Sequence, residues 1–303
     1  MENKRTVYAD NSATTKVSEQ VFNAMLPYLR DGFGNPSSLY RAGRENAAVI
    51  LSAREKIASL LGAKPSEIYF TSCGSESDNW AIKGAAHANE KKGKHIITTC
   101  YEHHAVLHAM DSLKKEGFDV TYLKCDSGGM ITPEQLEEAI RPDTTLCAVM
   151  FANNEIGTIL PRKEMTAVAK NHGVTFFTDA VQAVGNVPID VKDLGVDMLS
   201  LSGHKIHAPK GVGALYIKTG TRVSNLIDGG GQERGRRGGT ENVAFIVGLA
   251  QALSDAVGSL PECERVKKMR DRLAEGLKKI PYSHLNGTME SRLPGNLNMS
   301  FEF

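Results

Sequence analysis

Four residues, Ser202-Gly203-His204-Lys205, stand where one apolar run ends at Leu201 and before another resumes beyond Pro209 and Gly211. That order reads as strand, tight polar turn, strand. A lysine at the mouth of such a turn is hemmed in by apolar sequence and poorly solvated. Desolvation disfavours the ammonium, lowers its pKa and makes the amine a nucleophile toward carbonyl carbon. A lone lysine in a turn is more often an ordinary surface residue. Its company elsewhere in the chain decides between the two.

That company consists of polar residues that each follow an apolar run. Gly74-Ser75, at the start of an expected helix, offers backbone N–H groups and the positive end of a helix dipole, which suits a phosphate. Ser202 and His204 could donate to the same anion, although capping alone would also explain the turn. Asp179, an acceptor when ionised, suits a protonated ring nitrogen, and equally a helix N-cap. His103 could stack on an aromatic ring or move a proton, or serve structurally as most single histidines do; His104 reads as structural. Asn154 and Gln182 carry amide donors suited to a phenolic oxygen.

The elements that must position these residues alternate. Val21 to Leu29 reads as a helix, and a second runs through Ala47, Ile50, Leu51, Ile57 and Leu61 to a stop at Gly62. Strands are expected at 7–15, where one enters a polar turn, and at 67–71, 95–99, 120–123, 146–151 and 174–177, with helices after most of them. Continuous apolar strands alternating with helices predict an α/β fold with a mainly parallel sheet covered on both faces. In such sheets ligands collect at the carboxyl ends of the strands, where all these polar residues sit. From about residue 246 the pattern changes to long amphipathic helices, with Val266, Met269, Leu273, Leu277 and Ile280 spaced by three and four, then a strand over 297–301. This predicts a large domain over 16–257, with 1–15 and 258–303 forming part of a smaller, incomplete one.

Bulk properties exclude several classes. The 303 residues carry 36 Lys+Arg against 35 Asp+Glu, which gives no electrostatic reason to bind nucleic acid or anionic membrane. Neither a signal peptide nor a run long enough to span a membrane is evident. Five scattered cysteines, 73, 100, 125, 147 and 263, lack metal-binding spacing and fit reduced thiols in a cytoplasm. The Gly-rich 229–240 stretch does not follow a strand and open a helix as a dinucleotide fingerprint does.

A phosphate cradle, a carboxylate for a ring nitrogen, an imidazole and a reactive lysine together fit pyridoxal 5'-phosphate (PLP), whose ring is an electron sink. With this set in view, the whole chain resembles the cysteine desulfurases of the NifS/IscS type, class V aminotransferase-like enzymes of the fold-type I PLP group. The resemblance rests on Tyr8-Ala-Asp-Asn-Ser-Ala-Thr-Thr15, Gly34-Asn-Pro-Ser-Ser38, Thr71-Ser-Cys-Gly-Ser-Glu-Ser-Asp-Asn79, Glu102-His103, Asn153-Asn-Glu-Ile-Gly157, Asp179-Ala-Val-Gln182, Ser202-Gly-His-Lys205 and Gly229-Gly-Gly-Gln-Glu-Arg234 leading to Gly239-Thr240. It implies a seven-stranded-type sheet flanked by helices. It also implies that Lys205 carries PLP as a Schiff base and shuttles protons, while His103 stacks on the ring and assists. Asp179 would pair with the pyridinium nitrogen, and Asn154 and Gln182 would lie near the ring hydroxyl. Gly74, Ser75, Ser202 and His204 would hold the phosphate, joined by Thr240 from the partner subunit of a homodimer. Family members convert L-cysteine to L-alanine and pass a persulfide to iron–sulfur scaffold or thiolation acceptors.

Ser12 replaces a usual Ala and Tyr40 stands where His is common, both read as tolerated. Cys73 replaces a usual Gly beside the phosphate turn and reads either as a neighbour of the cofactor or, more readily, as a small buried residue. The sulfur-accepting cysteine and the arginine that grips the substrate carboxylate lie, in the family, beyond residue 303. The expectation is therefore a C-terminally truncated desulfurase with impaired sulfur transfer. Alternatives that share these motifs are a selenocysteine lyase, an aminotransferase or a non-catalytic PLP-binding or scaffold-binding protein.

Overall fold

The structure, a computed structural model, describes residues 6–302. Helix α1 (Glu19–Arg30) starts at Ser18, whose hydroxyl accepts the Val21 N–H at 3.2 Å. Helix α2 (Arg41–Leu61) ends at Gly62, whose φ of 72° is a left-handed conformation favoured by glycine. Strands and helices then alternate: β1 (Ile68–Thr71), α3 (Gly74–Asn89), β2 (His95–Thr99), α4 (His104–Lys115), β3 (Asp119–Leu123), α5 (Pro133–Ala139), β4 (Thr144–Ala148), α6 (Arg162–Asn171), β5 (Thr175–Asp179), α7 (Val191–Leu194), β6 (Met198–Ser202) and β7 (Gly213–Ile217). A single turn, α8 (Gln232–Gly235), precedes the long helices α9 (Val243–Gly258) and α10 (Cys263–Leu277) and a small hairpin of β8 (Ser283–Leu285) with β9 (Met299–Phe301).

The seven strands form one sheet in the order β1-β7-β6-β5-β4-β2-β3. Only β7 runs antiparallel to its neighbours; the remaining pairs are parallel. Adjacent residues of β5 show why the strands are apolar throughout. Phe176 packs with Ile57 and Leu249 on the face covered by α2 and α9, and Phe177 packs with Trp80 and Met110 on the face covered by α3 and α4. Both faces are buried, as parallel sheets require. No single helix among the described residues is long and apolar enough to cross a membrane.

Three expectations change. Residues 7–15 form no strand; they run as irregular chain and a turn. Thr15 is instead bound to the turn after β6, its N–H and hydroxyl both donating to the His204 carbonyl at 2.9 Å. The stripe on α10 does not mark a buried face, because Met269, Leu273 and Ile280 are exposed and the helix buries Arg270 and Ala274 instead. The terminal strand is shorter than 297–301 and pairs with β8, which has no signal in the sequence strong enough to predict it.

The Gly-rich 229–240 stretch has a structural task at the sheet edge. Strand β1 is an edge strand, and its outward groups need partners. Glu233 accepts the Phe70 N–H at 3.0 Å, while Arg54 and Arg234 donate to the Ile68 carbonyl at 2.7 and 2.9 Å. Arg54 and Glu233 also form a buried two-pronged ion pair, both contacts at 2.7 Å. Glu233 and Arg234 hold left-handed backbone, with φ of 48° and 60°, to make these contacts. Removing one partner of a buried pair leaves an uncompensated charge, which costs about 3–5 kcal/mol. Arg54→Leu is expected to lower unfolding stability by that amount in urea titrations; a loss below about 1 kcal/mol would show that the edge does not depend on the pair.

Candidate active site

A cavity of about 480 Å³ opens at the carboxyl edge of the sheet. Its walls gather Gly74 and Ser75 after β1, His103 after β2, Asn154 after β4, Asp179 and Gln182 around the end of β5, and Ser202, His204 and Lys205 after β6. Nine of the expected site residues thus meet in one place. The tenth, Thr240, is exposed and does not line this cavity.

Asp179 lies buried at the cavity's inner end and accepts the Val181 N–H at 2.8 Å. Burial raises its pKa, while the facing His103 and Lys205 pull it back down. Behind it Asp78 is also buried and accepts the Ser200 hydroxyl at 2.6 Å. Burial, then the charge of Asp179, push the Asp78 pKa well above the carboxylate range. Two such carboxyls cannot both ionise cheaply. Burial and the charge of Asp179 favour the neutral acid at Asp78, whereas His103 and Lys205 partly offset the effect of burial at Asp179 and favour its charged form.

The bases are held on short tethers. His103 caps α4, its Nδ1 accepting the Ala105 N–H at 3.1 Å, and partial burial lowers its pKa against the opposing pull of Asp179. Lys205 donates to the carbonyls of Ser12 and of Ala13, the latter at 3.0 Å. Burial lowers its pKa, with Asp179, Asp10 and Glu155 acting the other way. Gln182 also donates to the Ser12 carbonyl, at 2.9 Å, and Asn154 to Glu155 at 2.7 Å. His204 contacts Thr14 at 3.0 Å, and burial, followed by Lys205 and Lys210, lowers its pKa toward the neutral imidazole.

The mouth of α3 is shaped as a cradle. A Cβ added to Gly74 would come within 2.9 Å of Val181 Cγ2 and 3.3 Å of Ser202 Cβ, so glycine keeps this space open. The first-turn N–H groups of a helix lack intrahelical acceptors, and α3 presents them to the cavity through Gly74 and Ser75. Beside them Ser202 Oγ is buried with no partner among the described residues. Unsatisfied donors around a glycine-made space fit a phosphate.

The aminotransferase class-V family profile matches residues 7–303. A cysteine desulfurase IscS of Methanosarcina thermophila is 57% identical over the whole chain, which spans 75% of that relative. The IscS-named desulfurase of Clostridium botulinum is 53% identical over 97% of this chain and 75% of its own length. The chain belongs to the cysteine desulfurases of the NifS/IscS type within the class V aminotransferase family. Among solved structures, a NifS-like protein superposes with a TM-score of 0.96 at 44% identity, covering 98% of this chain and 82% of its own. SspA in complex with cysteine superposes at 0.89 with 40% identity, covering 98% and 84%. The class V family is PLP-dependent, and the desulfurase fold is the α/β architecture expected.

Several residues of this desulfurase site were not singled out in the sequence. Asp10 and the Ser12–Ala13 backbone line the cavity because 10–15 folds back over the β6 turn. Asp78 follows an unremarkable Glu-Ser, and a buried acid on a helix has no sequence signal of its own. Cys73, read as either a neighbour of the site or a small buried residue, is partly exposed and forms part of the cavity wall. Glu102 precedes His103 with no periodicity to mark it. It is buried, and its Oε1 accepts from Thr99 Oγ1 at 2.7 Å and from the Met150 N–H at 2.9 Å, joining the His103 segment to the segment after β4. Its Oε2 is buried without a partner among the described residues.

Burial pushes the Glu102 carboxyl up from the ordinary 4.5 to about 8. The folded protein therefore keeps a proton that the unfolded chain releases above about 4.5. Glu102's favourable contribution is complete below that pH and is lost as pH rises through about 8. Glu102→Gln, which keeps the acceptor, should melt relatively higher than wild type at pH 8.5 than at pH 5. Parallel melting curves across that range would show Glu102 to be ionised in the fold.

Proposed function

We propose that the cavity binds PLP and uses it to take sulfur from L-cysteine, releasing L-alanine and passing the sulfur as a persulfide to an iron–sulfur scaffold or thiolation acceptor. The observation that carries this reading is the convergence of Lys205, Asp179 and His103 on one cavity, with the partnerless Ser202 hydroxyl beside the Gly74 cradle. The cofactor supplies an electron sink for bonds broken at the substrate's α-carbon. Gly74, Ser75, Ser202 and His204 would hold its phosphate. Asp179, drawn toward its charged form by His103 and Lys205, would hold the proton on its ring nitrogen. His103 would lie against the ring and hold or move a proton, and Asn154 and Gln182 would donate toward the ring hydroxyl. Lys205 would anchor the group through its amine and supply a base at the substrate carbon. The protein named as SspA is described with cysteine bound, which supports the same substrate here.

The proposal extends to organisation. Residues 16–257 act as the large, cofactor-holding domain, with 1–15 and 258–303 belonging to the small one. A homodimer is supported by the apolar side chains left open on α1 and the loop after it, where Phe33 and Leu39 are 88% exposed. Such a partner would bring its own Thr240 to this phosphate site. A cytoplasmic location fits five cysteines without a disulfide. The polypeptide of residues 1–303, tested as such, is proposed to bind PLP and L-cysteine with little sulfur transfer, since none of its cysteines stands in a Ser/Gly-rich loop like that of the family's acceptor.

Purified protein mixed with PLP is expected to show a visible absorption band that shifts on adding L-cysteine. Lys205→Ala should lack the band, and Asp179→Asn should lower the rate at which the band shifts with L-cysteine by roughly 10²-fold, the scale of losing one preorganised electrostatic contact. A Lys205→Ala band identical to wild type would overturn the assignment.

A further inference from the structure

Cys100 and Cys125 stand apart from the cavity chemistry and next to each other. Cys100 directly follows β2 and Cys125 lies two residues beyond β3; these are neighbouring parallel strands, and the Cys100 N–H donates to the Leu123 carbonyl at 3.0 Å. The two sulfurs are 4.0 Å apart, Cys100 exposed and Cys125 partly so. A disulfide needs about 2 Å between sulfurs, so the two must close by about half their present 4.0 Å separation. Both flanking segments are already braced. Tyr101 donates its hydroxyl to the Gly129 carbonyl at 2.6 Å, and Asp126 accepts the N–H groups of Gly128 and Met130, both at 2.8 Å. Three residues beyond Cys100 comes His103, in the cavity wall.

We infer that Cys100 and Cys125 are a redox-modification site, at which a peroxide joins them in a reversible intramolecular disulfide that clamps the segment leading to His103 against the loop after β3. Cys100, the more exposed sulfur, meets the peroxide first. Its thiolate attacks one oxygen, the O–O bond breaks, and a sulfenic acid and hydroxide form, the hydroxide becoming water with the thiol's proton. Cys125 sulfur then attacks the sulfenic sulfur, the S–S bond forms, and the S–O bond breaks to release a second water. Two electrons pass from the two thiols to the peroxide. Burial, then the neighbouring Cys100, raise the Cys125 pKa, which suits the slower, resolving partner rather than the first attacker. This inference stands whether or not the cavity holds PLP.

The test uses the whole purified chain treated with a modest excess of hydrogen peroxide, then thiol blocking and peptide mass mapping. The expected result is loss of two of the five thiols, with three remaining, as a cross-linked pair of peptides holding Cys100 and Cys125, lighter by two hydrogens and restored by dithiothreitol. Amide exchange across residues 100–104 should slow several-fold in the oxidised protein and stay unchanged in peroxide-treated Cys125→Ser. Cys100 is exposed and Cys125 only partly buried at the margin of the core, and serine nearly matches cysteine in size, so Cys100→Ser and Cys125→Ser are expected to fold as wild type. Over-oxidation of Cys100 at equal rates in wild type and Cys125→Ser, or a cross-link between chains, would overturn the site. A cross-link with no change in exchange would overturn the clamp.

Discussion

A carboxylate withdrawn from water at the end of β5 sets the terms for everything around the cavity. Charges interact several-fold more strongly in a protein interior than in water, so each neighbour of Asp179 has to suit its sign. On the open side stand His103 and Lys205, both able to be cationic and both drawn toward that form by Asp179. On the closed side stand Asp78 and Glu102, whose burial favours the neutral acid. The arrangement concentrates one negative charge where a cationic ring atom could answer it, and keeps two further acids from competing with it. Polar residues in the core of β5 and β6 follow from this. Ser200, buried in a strand that is otherwise mostly apolar, is explained by its bond to Asp78.

Placing that charge at the end of a strand depends on the sheet's edges as much as on its centre. The five strands that supply the cavity wall terminate together because β4, β5 and β6 run parallel, with β1 and β2 sharing their direction. The single reversed strand, β7, closes the path back and leaves β1 as an edge whose outer groups are met by Arg54, Glu233 and Arg234. From the same loop Arg237 reaches Glu76 with contacts of 2.7 and 3.0 Å. Glu76 lies in the first turn of α3, where a carboxylate complements the helix dipole, and it also accepts the Ser72 N–H at 2.8 Å. The Gly-rich loop thus fixes the geometry of the phosphate-shaped cradle without lining it.

Periodicity and strand-end placement carried most of this into view before any coordinates. The apolar runs named the sheet strands, because a strand buried on both faces has no polar positions to blur it. The cavity residues were legible for a related reason: each is a polar residue directly after such a run, and a parallel sheet brings those positions to one edge. What stayed illegible was long-range. The path of 7–15 follows from bonds to His204 and His207, nearly two hundred residues away, which an apolar Val7-Tyr8 pair resembling a strand start does not reveal. The α10 stripe misled because spacing reports that a face is apolar, not that something covers it. Thr240 was legible as part of a motif, yet its place in this fold is outside the cavity.

The segment over the β6 turn has a further consequence for Lys205. In its ammonium form the lysine has two backbone acceptors, Ser12 and Ala13, and Gln182 shares the first of them. To act as a nucleophile the same nitrogen needs a lone pair, so its donors must leave those carbonyls or lose their proton. Burial favours the second course, and the nearby carboxylates of Asp179, Asp10 and Glu155 oppose it. The 10–15 segment therefore restrains the lysine as an ammonium rather than merely covering it. It holds the ammonium in place through two carbonyl acceptors and is itself tied to the turn through Thr15. A substitution that loosens Thr15 would free the carbonyls that Lys205 and Gln182 share, and so alter the reactivity of a residue it does not touch.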